Sequence, residues 1–191
     1  MRRTWARAGA RRHLAAALAA IAALAAGALA TTVEALSLPQ LVARAERIVE
    51  ARVVGVAPTT DGQGRPATQV GLVVLSTLKG APSGLVEVVL PGGSAGGRTL
   101  AIAGIPRLEP GEEVVLFLSG KSSAGLTLPI GLGQGTYRAR VDAKTGTQVV
   151  APDLAGLELR DPKTGAPVAA AAAPVARAAF LAEVRRLVGA K

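Results

Sequence analysis

The chain has 191 residues and no cysteine. It has one histidine (His13), one tryptophan (Trp5) and one methionine (Met1), all close to its start. Aromatics are 2% of the sequence. Without cysteine there is no disulfide framework, so an exported domain must be held by its core alone. Without thiol or imidazole beyond residue 13, the usual general base, the usual transition-metal ligands and the most nucleophilic side chain are missing. Most enzyme chemistry is therefore argued against before any motif is read. Base-stacking platforms are argued against too, because only Phe117, Tyr137 and Phe180 follow Trp5.

Residues 1–30 read as a secretory signal peptide. Arg2, Arg3, Arg7, Arg11 and Arg12 precede an apolar stretch from Leu14 to Leu29, and no acidic residue interrupts them. Ala28-Leu29-Ala30 supplies small residues at −3 and −1, which places the cut between Ala30 and Thr31. The stretch is short of the roughly 20 residues needed to span a bilayer, so no integral membrane span is expected after cleavage. The location implied is the periplasm or the medium. Five of the 22 basic residues and none of the 13 acidic ones lie in the leader, leaving 17 against 13 and a net charge of +4. That modest, scattered charge is no nucleic-acid footprint. The remaining 161 residues are one domain's worth.

Ser37-Leu38-Pro39-Gln40 is a capping-box pattern, and Leu38, Leu41, Val42 and Ala45 follow at helical spacing. A short helix is expected from Leu38 to Arg47. Strands are then expected at Ile48–Val56, Thr68–Leu78, Leu85–Leu90 and Thr99–Ala103, with loops at Pro58–Pro66 and Pro91–Gly97. Val114 to Leu118 is the most hydrophobic run and reads as a strand buried on both faces. Leu126–Ile130, Gly135–Val141 and Thr147–Val150 complete the strands, the last two joined across Asp142–Gly146. Residues 152–173 are rich in Pro and Ala and read as a linker. A C-terminal amphipathic helix is expected over 174–191, starting at Pro174, with Val175, Phe180, Leu181, Val184, Leu187 and Val188 on its apolar side. The expected fold is mainly β: a small antiparallel barrel over residues 31–151 with a short N-terminal helix and a trailing helix.

Several stretches match a wider pattern. They are Leu38-Pro39-Gln40-Leu41-Val42, Ala45-Glu46-Arg47-Ile48-Val49, Leu78-Lys79-Gly80, Pro91-Gly92-Gly93, Pro110 to Leu118 and Gly133-Gln134-Gly135-Thr136-Tyr137. In these the chain resembles a group of exported bacterial proteins of unassigned function. More distantly it is similar to the netrin-like, OB-type module of tissue inhibitors of metalloproteinases. The likeness lies in Ile48 to Val53, a long strand ending in Lys79-Gly80, and a strand leading into Gly120-Lys121. The resemblance implies an OB-like barrel. It does not carry the inhibitory group, because those inhibitors act through an N-terminal cysteine and this chain has none.

Candidate chemistry is sparse. Gly92 to Gly97 followed by Arg98 suits an anion nest, but lacks phosphate-loop spacing and reads better as an inter-strand loop. Gly131 to Gly135 precedes a strand rather than a helix, so it reads as a bulge or close approach. Ser94, Ser122 or Ser123 with Lys79 or Lys121 is the raw material of a Ser/Lys hydrolase. Glu112 and Glu113, with Glu109, diverge if they lie on a strand. The reading reached is a non-catalytic binding module without cofactor or metal. It meets another exported protein through rim loops bearing Asp61, Gly62, Gly92, Gly93, Ser94 and Arg98. A protease-inhibitor-like role and a His-free Ser/Lys hydrolase stand as alternatives.

Overall fold

A computed structural model describes residues 30–169 and 173–190. Of the expected leader, residues 1–30, the first 29 lie outside the described residues; Ala30 is exposed and Thr31 opens the first strand. The elements are β1 (Thr31–Glu34), α1 (Leu38–Arg44), β2 (Arg47–Thr60), β3 (Pro66–Lys79), β4 (Leu85–Pro91), β5 (Gly93–Ala95), β6 (Arg98–Leu100) and β7 (Glu113–Leu118). A 3-10 turn (Leu132–Gly135) leads to β8 (Thr136–Val141), β9 (Gln148–Pro152), β10 (Leu157–Arg160), β11 (Pro167–Val168), β12 (Val175–Ala176) and α2 (Arg177–Gly189). The fold is mainly β with antiparallel sheets and two helices.

A seven-stranded sheet runs β12-β9-β8-β7-β2-β3-β4. Beside it lie the sheet β1-β10-β11 and the hairpin β5-β6. Strand β7 sits mid-sheet, antiparallel to β2 and β8. Its alternate side chains enter two cores. Val114, Leu116 and Leu118 join Val49, Ala51, Val53, Val70, Leu72 and Val88 on one face. Val115 and Phe117 join Leu41, Val42, Ile48, Phe180, Leu181 and Val184 on the other. Both faces of β7 are thus dry, as its unbroken apolar run requires. Helices α1 and α2 cover the second face. Phe117, Tyr137 and Phe180 meet there, with ring centroids 5.7, 6.3 and 4.4 Å apart. Burial lifts the Tyr137 phenol above its usual pKa.

Strands β2 and β3 form one long hairpin. Its register shifts at Ile48/Val49, Glu50/Ala51 and Val53/Gly55. Such bulges bend a strand pair and sharpen its twist. The segment after β7 follows that curve. Ile130 N–H donates to Phe117 O (2.8 Å) and Ser119 N–H to Leu128 O (2.8 Å), while Thr127 N–H reaches Val89 O of β4 (2.9 Å).

Several boundaries differ from expectation. Helix α1 stops at Arg44 rather than Arg47 because Ala45 turns extended and Glu46 N–H bonds Leu118 O (2.9 Å). The Lys79 ammonium donates to the last carbonyls of α1, those of Val42 (2.8 Å) and Ala45. The Pro58–Pro66 loop shrinks to a turn over 61–65, since Thr59 and Thr60 still pair with Ala67 and Pro66. The expected linker over 152–173 contains β10 and β11. Strand β10 pairs in parallel with β1 from Thr31↔Leu157 to Glu34↔Arg160, a contact between distant parts of the chain. The C-terminal helix starts at Arg177 because Val175 and Ala176 pair with Val150 and Val149. Arg177 then anchors it. The guanidinium reaches Glu50 (2.7 Å), Glu113 (2.7 Å) and Gln148 (2.8 Å). Two carboxylates compensate a cation placed at the unfavourable end of the helix dipole.

Phe117 is fully buried and contacts both other aromatic rings. Phe117→Ala is expected to cost about 3–5 kcal/mol. Calorimetry checks this, with a fall in Tm of roughly 2–4 °C per kcal/mol for a chain of this size.

Candidate functional site

The glycine-dense stretch after β4 is a hairpin, not an open loop. Gly93–Ala95 pairs with Arg98–Leu100 across the two-residue turn Gly96-Gly97. Both turn residues have positive φ (56° and 71°), as a turn matching strand twist demands. Gly93 sits at φ 119°, and a Cβ there would come within 2.5 Å of Thr68 Oγ1. Thr68 donates that hydroxyl to Gly92 O (2.8 Å). Ser94 Oγ lies 2.8 Å from Thr99 Oγ1. These residues therefore shape a surface through backbone geometry.

The second expected rim element is the turn at Asp61. Its carboxylate accepts hydrogen bonds from Gln63 N (2.9 Å), Arg65 N (2.9 Å) and Arg65 Nε (2.7 Å). These hold its pKa below the usual 3.8, the Arg65 backbone bond foremost, against the opposing effect of burial. Gly62 N–H donates to Ala124 O (2.8 Å). The Arg98 guanidinium donates to Gly64 O. Two of the expected rim elements, the turn at 61–65 and the β5–β6 hairpin, are thus joined.

Between that hairpin and the chain leading to β7 lies a cleft of about 950 Å³. Gly92, Gly93 and Ser94 line it, and its floor includes Val70 and Leu90 of the core. Much of its wall is Thr99 to Glu109, which composition did not single out. Arg138 and Asp153 stand at the cleft as well. Arg138 donates to Asp153 Oδ2 (2.8 Å), Glu112 Oε1 and Arg107 O (2.6 Å). Burial opposes its charge, but Asp153 and then Glu112 outweigh that and raise its pKa. Arg107 is exposed and makes no ion pair with a described residue. Thr31 abuts the same cleft: its N–H donates to Gly156 O (2.9 Å) and its hydroxyl to Ala103 O (2.9 Å).

The other candidates have local roles. Ser122 Oγ accepts from Leu126 N (3.1 Å), and Lys79 is engaged at α1. Glu112 turns to Arg138, whereas Glu113 turns to Arg52 (2.6 Å) and Arg177. Glu113 is held below the usual carboxylate range by the Arg52 hydrogen bond first and by Arg177 after it, against burial. Gly131 to Gly135 is a close approach. A Cβ on Gly133 would fall 1.8 Å from Asp153 O, and one on Gly135 2.4 Å from Ile130 O. Between them, buried Gln134 accepts from Leu36 N (2.8 Å) and donates to Glu34 O (2.9 Å), fastening the chain after β1. Among the described residues no group of three His, Cys, Asp or Glu is placed to hold a metal ion, and no helix is long and apolar enough to cross a membrane.

No family model, curated protein or solved structure matches this chain.

A repeated signal went unread in the sequence. Asp142-Ala-Lys-Thr-Gly146 and Asp161-Pro-Lys-Thr-Gly165 are the same turn. Each Asp Oδ1 accepts from the Lys and Thr backbone N–H groups and the Thr hydroxyl, at 2.8–3.1 Å. The hydrogen bonds to the Thr backbone lead in lowering both Asp pKa values.

Two outcomes follow from the close contacts and the turn. Gly133→Ala is expected to destabilise by about 1–3 kcal/mol through its backbone clash. Gly84→Ala, with open space around its Cβ, should stay within about 0.5 kcal/mol; denaturant melts compare them. Asp61 has a lowered folded pKa, so its ionised form stabilises above the unfolded value near 3.8. That contribution is lost as pH falls through the folded value. Asp61→Asn should therefore be less stable than the parent at pH 7, with the gap closing below about pH 4 in thermal melts across pH.

Proposed function

We propose that this protein is an exported, non-catalytic binding module that meets another exported protein at the cleft beneath the β5–β6 hairpin. The observation that carries the reading is the cleft itself. It is about 950 Å³, floored by core aliphatics, and walled by a hairpin and an irregular segment. Binding sites are commonly concave, mostly apolar and edged by a few polar groups. Ser94 faces Thr99 rather than a lysine, and Lys79 serves α1, so neither supports the hydrolase reading. The expected cut after Ala30 would place the new N-terminus at the cleft wall through Thr31.

An OB-like, netrin-like architecture belongs to the same proposal. Its support is the segment from Leu126 to Ile130, which bonds β7 along one side and touches β4 at Val89 on the other. The β2–β3 hairpin that lies between β7 and β4 in the sheet carries bulges, which bend a strand pair in the way such a closure needs.

The test is comparative capture. Immobilised exported protein is exposed to the exported fraction of the producing cells, beside Ile102→Glu in the cleft and Val141→Glu, an exposed site at the end of β8. One captured protein should fall at least about tenfold with Ile102→Glu, a loss of roughly 1.4 kcal/mol, and be unaffected by Val141→Glu. Equal capture by all three sinks the reading.

A further inference from the structure

One face of the β2–β3–β4 region is left bare. Leu72 and Val86 turn into the first core. Their neighbours Val73 and Leu85, opposite each other on β3 and β4, turn the other way. That is the face α2 covers further along, since Arg52 pairs with Val73 while Glu50, two residues before it, meets Arg177. Val54 is the extra residue of one β2 bulge and lies over Gly71, where a Cβ would come within 3.6 Å of Val54 Cγ2. Leu75 is the extra residue of the bulge at Glu50/Ala51. Val54, Val73, Leu75 and Leu85 are 39–58% exposed. Single exposed aliphatics are ordinary, but a contiguous group marks a contact surface.

Opposite charges stand at the two ends of this face. Glu87 lies across from Gly71 on β4, exposed and without an ion pair to a described residue. At the other end Arg185 of α2 donates to Ser76 Oγ (3.2 Å) and has no acidic partner among the described residues. Ser76 is five residues beyond Gly71, roughly 16 Å at strand rise. Arg52, beside Val73, is already held by Glu113 (2.6 Å).

We propose that this face binds a second copy of the chain: the two faces stack about a two-fold axis crossing β3 near Val73, so that Glu87 of each copy meets Arg185 of the other. An isologous contact needs a self-complementary patch. An apolar middle with an acid at one end and a base at the other is such a patch, because the two-fold reverses it end for end. Pairing through the open edge of β4 fits worse. Thr127 N–H already occupies Val89 O, and antiparallel pairing about Glu87 would set like charges opposite each other. The patch is well short of the roughly 800 Å² per partner of a stable dimer, so the association is transient. Val70 and Leu90 floor the cleft from the opposite face, so both clefts stay open in the pair, whatever they bind.

Sedimentation equilibrium of the exported protein from about 5 µM to 1 mM should show monomer passing to dimer with a Kd of about 100 µM. Val73→Glu and Leu85→Glu should each weaken it at least about tenfold, and Val141→Glu should leave it unchanged. Glu87→Arg and Arg185→Glu should each weaken it about fivefold or more, and the double variant should restore the parent value. Thermal melts at about 1 µM, where every variant is monomeric, should match the parent, since all four positions are exposed. Monomer throughout the range overturns the proposal. So does a dimer indifferent to Val73→Glu and Leu85→Glu, or one that the double charge swap fails to restore. Binding of vesicles with anionic headgroups through Leu85 without any dimer also overturns it and gives the face to a membrane.

Discussion

Every other packing decision in this protein follows from β7 having no polar face. Five consecutive apolar residues must be hidden, and in a strand they point alternately to opposite sides. One layer of covering structure is therefore insufficient. The curved β2–β3–β4 region closes over Val114, Leu116 and Leu118, while α1 and α2 close over Val115 and Phe117. The fold needs both, which is why a short helix leads in and a longer one returns at the end of the chain. Arg177 makes that return specific. Its two carboxylate partners come from β2 and β7, the two adjacent strands at the centre of the sheet. A largely buried pair of this type adds little net energy, because desolvation offsets its attraction.

The chain's poverty in aromatics has a structural counterpart. Phe117, Tyr137 and Phe180 are drawn from β7, β8 and α2 and converge on one spot. The remainder of the core is aliphatic, chiefly Val and Leu. Such side chains suit a pleated surface, and with no disulfide available they carry the stability themselves. The glycines do complementary work. At Gly93, Gly133 and Gly135 the backbone of one segment lies where any side chain of another would be.

Long, strongly patterned elements were legible in the sequence. Strand β7, the β2 and β3 strands, the turn at Asp142–Gly146 and the apolar stripe of α2 all follow from period and turn chemistry. The elements missed are short or depend on distant partners. Strand β5 has three residues, too few for a period, and its glycine-rich surroundings read as a loop, while β6 covers only Arg98–Leu100 of the strand expected over Thr99–Ala103. Strand β10 acquires its place by pairing with β1, over a hundred residues earlier, and no local pattern announces that. The cleft was half visible. Gly92, Gly93 and Ser94 were singled out, but Ile105 to Glu109 was not, because that stretch is irregular and is held by contacts from distant residues such as Arg138. Asp142 and Asp161, by contrast, were readable: the turn Asp-x-Lys-Thr-Gly occurs twice, 19 residues apart, and only a search for shorter repeats was needed.

The aromatic triangle has a practical side. In a chain processed at Ala30, Tyr137 is the sole strong near-ultraviolet absorber, since Trp5 departs with the leader. Its ring stacks on Phe180, which belongs to the last helix. One intrinsic chromophore thus stands at the junction where the end of the chain meets the sheet. Its emission and the tyrosine band of its near-ultraviolet dichroism form a built-in gauge of whether α2 is seated, with no label needed.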